Sequence, residues 1–376
     1  MARLRVGVIG CGTIGQIMWL PNIRELDQHF ELAAICDLSP GLLDALGAYF
    51  GVDARFVDYH DLVAQPLDVV VVLTPGSHAA PAIAALEAGK HVIVEKPMCY
   101  TLREADQMIA ASRRAGKDLL VAYMKRYDPG YLYGADLVRK MSQVRYVQIN
   151  VLHPAEQPYF EHHCIQRFDD VPPATLAALQ GEGDRLVVEA IGPVSERLRF
   201  LYYDVLLGSM VHDVNALRGI LGAPDQVLFT TIWPDDVRYP SLTTVLAYDG
   251  GPRVVFTWAY LADVRDYFEE LAFMADATRV RIQFPSPYLR HFPTPVEVQG
   301  MDGSVEWRKR IQVSYAEAFK EELLHFHACL TTDTEPRTHA REGREDIRLL
   351  QQILTVTEPA GLGGEALRYR SGTERQ

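Results

Sequence analysis

Three short motifs in the first hundred residues gather residue types that can do chemistry. Gly10-Cys11-Gly12-Thr13-Ile14-Gly15 has G-x-G-x-x-G spacing and stands between an apolar run and a helical stretch. In that setting one glycine makes a tight turn, the next lets a pyrophosphate approach the backbone, and the third allows close helix–strand contact. Free N–H groups at the helix start, around Thr13 and Ile14, would then hold the phosphates. Asp37 ends the next apolar run, and its carboxylate would accept hydrogen bonds from an adenosine ribose and repel a 2′-phosphate. Leu38, Ser39 and Pro40 follow with no arginine, which points to NAD rather than NADP. Thr74-Pro75-Gly76-Ser77-His78 and Glu95-Lys96-Pro97 each follow another strand-like run. Such strand ends border the ligand crevice of a doubly wound sheet.

The hydrophobic pattern supplies a frame for these motifs. Residues 4–9, 31–36, 67–73, 91–94 and 118–122 are short apolar runs, as strands buried on both faces should be. Helical stretches over 14–27, 41–50, 79–88 and 102–115 alternate with them. The alternation predicts parallel strands joined by crossovers, an α/β Rossmann dinucleotide-binding domain over residues 1–124. Beyond it come strand-like runs at 144–152, 226–233, 242–248, 253–260, 268–275, 279–284, 296–299 and 305–313. Asp249-Gly250-Gly251 and Asp302-Gly303 read as hairpin turns between such runs. Helices at 210–221, 315–330 and 342–357 complete an α+β C-terminal domain, residues 125–376, with a large, mostly antiparallel open sheet covered on one face. Phe319, Leu323, Phe326 and Leu330 form one apolar stripe on the second of these helices. Residues 361–376 are glycine-rich and polar and read as a flexible tail.

Composition narrows the function classes. Of 376 residues, 48% are apolar, and 37 basic against 49 acidic side chains leave a net charge of −12. Nucleic-acid binding calls for a basic face, so that class is disfavoured. Five scattered cysteines without a Cys-x-x-Cys pair argue against a disulfide framework or structural zinc and fit a reducing, cytoplasmic setting. No leader is visible before the strand at Leu4, and no apolar run is long enough to cross a bilayer.

Taken together, the glycine loop, Thr74-Pro75-x-x-His78, Glu95-Lys96-Pro97 and Arg126-Tyr127-Asp128-Pro129 resemble the Gfo/Idh/MocA family of glucose–fructose oxidoreductase, inositol dehydrogenase and related sugar dehydrogenases. The resemblance is close over the first 130 residues. It implies a nicotinamide at the sheet edge and a polyol or sugar between two domains. Lys96 would reach both substrate and cofactor, hydrogen-bond the reacting oxygen and stabilise its negative charge. Thr74 and Pro75 would line the nicotinamide ribose, with His78 and Glu95 beside the cofactor. The family's dehydrogenases usually carry Asp-x-x-x-His on a helix of the second domain, where the Asp orients a proton-accepting His. His212 aligns with that histidine, but Gly208 stands where the Asp is expected. Met210, Val214, Leu217 and Leu221 share one helical stripe, and His212 points roughly 190° away from it. Asp204 would lie ~12 Å back along such a helix, too far to pair with His212.

The expected catalytic pair is therefore Lys96 and His212. Tyr123 and Arg126 at the domain junction, and His153, are weaker candidates for substrate contact. His162-His163-Cys164 and Glu322-x-x-His325 lack any recurring ligand spacing, so no metal is expected. The segment 153–200, rich in Pro, Asp and Glu, departs from the family pattern and is expected to line the cleft or an oligomer contact. NAD-dependent hydride transfer on a sugar or cyclitol leads. An NAD-dependent glycosidase working by transient oxidation, or a non-catalytic NAD-binding sensor, are the alternatives. The resemblance also implies homodimers or homotetramers built through the C-terminal sheet.

Overall fold

The computed structural model describes residues 3–234 and 239–356. The tail at 361–376 lies outside the described residues. Six strands form an all-parallel sheet: β1 (Leu4–Ile9), β2 (Phe30–Cys36), β3 (Arg55–Phe56), β4 (Val69–Val72), β5 (His91–Glu95) and β6 (Leu119–Ala122). Their order is β3-β2-β1-β4-β5-β6, so the chain reverses direction across the sheet between β1 and β4. That reversal opens the crevice in which such sheets bind ligands. Val70, Val72, Val92, Val94 and Val121 pack into one core, while Val69, Val71, Ile93 and Leu120 pack into another. Residues alternate faces along a strand, and both faces are covered, which is why these runs are continuously apolar.

The first helix departs from its expected regularity. Gly15–Trp19 is a wide π-turn, and the α-helix proper is Leu20–Glu25. Pro21 has no N–H to donate, and in a straight α-helix its ring would meet the carbonyl four residues back. The wide turn ahead of it relieves that contact. Strand β3 and the helix Tyr59–Val63 escaped the sequence reading because two and five residues carry too little periodicity.

Eight strands form a second sheet: β7 (Tyr146–His153), β8 (Gln226–Trp233), β9 (Ser241–Ala247), β10 (Arg253–Tyr260), β11 (Phe268–Met274), β12 (Arg279–Phe284), β13 (Val296–Asp302) and β14 (Val305–Ile311). The order is β14-β13-β12-β11-β7-β10-β9-β8, and within this sheet β7–β10 is the one parallel pair among the described strands. Both expected hairpins are present, with Gly250 at φ 66° and Gly303 at φ 59°, conformations that glycine adopts without strain. Val147, Ile149 and Val151 alternate inward along β7, so one face of the sheet is buried.

The C-terminal helices return to the first sheet. Phe319, Leu323 and Phe326 of helix Ala318–Thr332 join the core that holds Val69 and Leu120, and Phe319 meets Trp19 edge-to-face at 5.9 Å. Helix Ala340–Thr355 packs on helix Leu102–Ala115. Just before it, Val121 N–H donates to the Thr338 carbonyl at 2.8 Å and Leu120 bridges His339, which covers the exposed edge of β6. No helix among the described residues is long and apolar enough to cross a membrane, and all five cysteines are free.

Segment 153–200 carries more structure than its sequence pattern suggested. Helices Gln157–Phe160, Pro173–Ile191 and Glu196–Phe200 lie there, and the last runs on through a π-helical stretch, Leu201–Met210, into Val211–Leu221. The helix expected from 210 therefore starts well upstream. Every residue from Val211 to Leu217 is buried, so the single-stripe picture of this helix is corrected. It contacts the turn Met124–Tyr127 and the helices Pro129–Arg139 and Ala340–Thr355.

Candidate active site

Glycine geometry at the end of β1 fits a dinucleotide. Gly10 has φ 91°, and a Cβ there would lie 2.7 Å from the Leu73 carbonyl carbon. A Cβ on Gly15 would come within 3.2 Å of the Gly10 carbonyl oxygen. On Gly12 a Cβ would meet nothing within 4 Å. The first and third glycines thus serve the protein's own close contacts, and the second faces open space where a pyrophosphate can approach. Asp37, at the end of β2, accepts from Cys11 N–H at 2.8 Å and Ser39 N–H at 3.0 Å.

A cleft of about 970 Å³ opens from this loop toward the second sheet. Gly12, Thr13, Ile14, Thr74, Pro75, His78, Glu95 and Lys96 line its first-sheet side, and His153 and His212 line the other. The structure thus brings the two expected catalytic residues into one cavity with most of the expected cofactor residues. Gly10, Gly15 and Asp37 lie just outside it and frame the loop.

Burial tunes these groups. Glu95 accepts from Trp19 Nε1 at 2.9 Å and from its neighbour Lys96 N–H at 2.9 Å, and desolvation raises its carboxyl above the usual range. His78 Nδ1 donates to the Pro97 carbonyl at 2.7 Å, and burial pushes the ring down to about 4, so it is neutral. Burial also lowers Lys96, partly offset by Glu95 and Glu156. Its Nζ donates to the Gly208 carbonyl oxygen at 2.5 Å. An ammonium has three donors, so two remain for the cleft. His212 is held well below its ordinary value by burial, then by the Lys96 and Lys125 ammoniums. Its Nδ1 has no hydrogen-bond partner among the described residues, and Asp204 lines the cleft without a hydrogen bond to the ring.

Two expected substrate contacts are corrected. Arg126 does not line the cleft; it donates to the Asn215 carbonyl at 3.1 Å and the Asn215 side chain at 3.0 Å inside the protein. Tyr123 is buried beneath the site, with its ring 6.4 Å from that of His212. A basic residue at a junction reads alike from sequence whether it faces ligand or core, and the core has claimed this one.

Sequence reasoning missed the neighbour that does face the cleft. Lys125 lines it, and its ammonium pairs with Glu269, fully buried on β11. Tyr267 donates its hydroxyl to the same carboxylate. Burial raises the Asp213 carboxyl well above its ordinary value, with repulsion from Glu269 next. Against its own desolvation, Glu269 is held low by Lys125, Asp213 and Tyr267. The legible signal was a charged pair, Glu269-Glu270, inside an otherwise apolar strand. Trp258 and Tyr260 stack at 6.4 Å on the far wall, and Tyr239 meets Tyr260 at 4.8 Å. No cluster able to hold a metal occurs among the described residues.

Comparisons with known proteins agree with this architecture. Residues 4–123 match the family model described as an oxidoreductase family with an NAD-binding Rossmann fold. An inositol 2-dehydrogenase of Salmonella paratyphi B is 34% identical over 133 residues, 34% of this chain and 39% of the relative. The alignment therefore spans well under half of that protein's length. Among solved structures, the UDP-N-acetylglucosamine 3-dehydrogenase of Acidithiobacillus ferrooxidans superposes with a TM-score of 0.71 at 19% identity, over 95% of this chain and 99% of the other. A 3-ketoreductase of Actinomadura kijaniata, solved in complex with NADP, gives 0.71 at 19% identity, over 95% of this chain and 98% of the other. These structural likenesses extend the shared fold across both sheets. Residues 4–123 thus match the NAD-binding Rossmann fold of the Gfo/Idh/MocA oxidoreductase family.

Proposed function

We propose that the protein is an NAD-dependent dehydrogenase acting on a hydroxyl-bearing carbon of a sugar, cyclitol or related polyol. The observation that carries this reading is the convergence of Lys96 and His212 on one cleft with the glycine loop at its mouth. Gly12, Thr13 and Ile14 would hold the pyrophosphate, Thr74 and Pro75 the nicotinamide ribose, and Asp37 the adenosine ribose. The chemistry a bound nicotinamide supplies is hydride acceptance at its C4. His212, neutral in its buried setting, accepts the proton of the substrate hydroxyl. Lys96, anchored by one donor to Gly208, turns its others to the oxygen on which charge develops. Trp258 and Tyr260 offer flat apolar faces to a ring, with Lys125 and His153 available for its hydroxyls.

Asp37 without a following arginine supports NAD over NADP. Nothing in the cleft favours the glycosidase or the sensor reading; a sensor has no need of both Lys96 and His212. The same reading keeps the protein cytoplasmic and assembles it as a homodimer or homotetramer through the second sheet, which light scattering would read. The functional test is reduction of NAD with a panel including myo-inositol and aldoses. NADH formation with at least one polyol is expected. A protein that binds NAD tightly yet reduces none across the panel would support a sensor instead.

A further inference from the structure

On the reading just proposed, cofactor choice begins with Asp37, and the fold brings a second carboxylate to the same turn from far along the chain. Residues 154–172 run from the cleft to the dinucleotide loop. At the cleft end, Glu156 accepts from the Tyr288 hydroxyl at 3.1 Å, and His163 Nε2 donates to the Tyr288 carbonyl at 3.1 Å. Further on, Gln166 N–H donates to Gln16 Oε1 at 2.8 Å, and Gln16 Nε2 donates back to the Gln166 carbonyl at 3.1 Å. Gln16 also donates to the Cys11 carbonyl of the glycine loop at 2.9 Å. Asp170 follows, and its Oδ2 accepts from Gly41 N–H at 2.7 Å. Phe168 covers Gly41 so closely that a Cβ there would lie 2.6 Å from its ring.

From Ser39 to Leu42 each backbone donor is accounted for. Ser39 N–H goes to Asp37, Pro40 has none, Gly41 N–H goes to Asp170, and Leu42 N–H goes to the Ser39 hydroxyl at 3.0 Å. These are the groups at the start of helix Pro40–Phe50 that a phosphate would otherwise use. A ribose hydroxyl brings its own donor and gains from nearby carboxylates; a 2′-phosphate brings only acceptors and charge.

We propose that Asp170 is a specificity-determining residue for the dinucleotide: beside Asp37 it sets a second negative charge at the adenosine ribose and takes the amide a 2′-phosphate would need. The strap 154–172 positions it, tied down by the Gln16–Gln166 pair. The inference rests on the dehydrogenase reading above. Because Asp170 is exposed, its loss leaves the cores intact.

Equilibrium titration of the full-length chain with NADH and NADPH, followed by nicotinamide fluorescence, tests it. Wild type is expected to bind NADH more tightly than NADPH. Asp170→Asn is expected to lower the NADPH:NADH ratio of Kd values by about tenfold, while Asp170→Glu keeps the wild-type ratio. The wild-type preference is also expected to shrink as salt screens the carboxylates. An unchanged ratio in Asp170→Asn, with NADH still bound, overturns the role of Asp170 alone. Binding of neither dinucleotide by wild type overturns the dehydrogenase reading and this inference with it.

Discussion

The Lys96 ammonium is held 2.5 Å from the backbone carbonyl oxygen of Gly208, the position at which the sequence resemblance leads us to expect an aspartate. A backbone dipole therefore anchors the lysine at that position, and His212 Nδ1 has no hydrogen-bond partner among the described residues. Replacing Lys96 by Met removes the donor to the reacting oxygen while filling similar volume. A fall in kcat of about 10²- to 10³-fold is expected with any confirmed substrate. Turnover at the wild-type rate would remove Lys96 from the chemistry.

Burial and two neighbouring ammoniums keep His212 neutral through the physiological range. The wild-type pH profile of kcat/KM is therefore expected to lack a limb near the ordinary histidine value of about 6.5. Removing a nearby cation raises a histidine's pKa. The double variant Lys125→Met with Glu269→Gln, which keeps the buried charge balanced, should move an acid limb upward. Identical profiles for wild type and double variant would argue that His212 is not the group accepting the proton.

The glycine loop separates folding from binding. Gly12→Ala has room for its methyl in the free protein, so its melting temperature should stay near wild type while dinucleotide affinity falls by more than about tenfold. Gly10→Ala combines φ 91° with a 2.7 Å approach to Leu73, and should lose about 2 kcal/mol or more of stability in denaturant titrations. The reverse pattern would place the ligand elsewhere.

Glu322 is buried in helix Ala318–Thr332, and desolvation, with repulsion from Glu95 next, raises its carboxyl well above the ordinary value of 4.5. A raised carboxyl contributes stability that is complete below the unfolded pKa and is lost as pH rises through the folded one. Glu322→Gln should match wild type near pH 5 and gain on it toward pH 8, by up to about 1.4 kcal/mol per pH unit within the titration window. Urea midpoints at the two pH values read this directly, and parallel curves would contradict it.

The sequence made the first sheet legible because strands buried on both faces read as unbroken apolar runs, and because G-x-G-x-x-G sits at a strand–helix junction. Lys96 was legible for a related reason, since a strand end fixes where its neighbours point. Other features depend on contacts across long separations. Lys125 and Arg126 are adjacent and both basic, yet only Lys125 faces the cleft, a choice made by Glu269 and Asn215 far along the chain. The strap was opaque because 154–172 has little periodicity of its own and takes its shape from Gln16, Gly41 and Tyr288. The π-helical stretch ahead of His212 breaks the 3.6-residue spacing on which a helical wheel relies.

Isotope transfer tests hydride chemistry most directly. The protein is incubated with NAD and polyols deuterated at their carbinol carbons, myo-inositol among them, and the NADH formed is examined by NMR. Deuterium at nicotinamide C4, delivered more slowly than hydrogen from the unlabelled polyol, is the expected result. NADH free of deuterium, or none formed across the panel while NAD is bound, would contradict hydride transfer from a carbinol carbon.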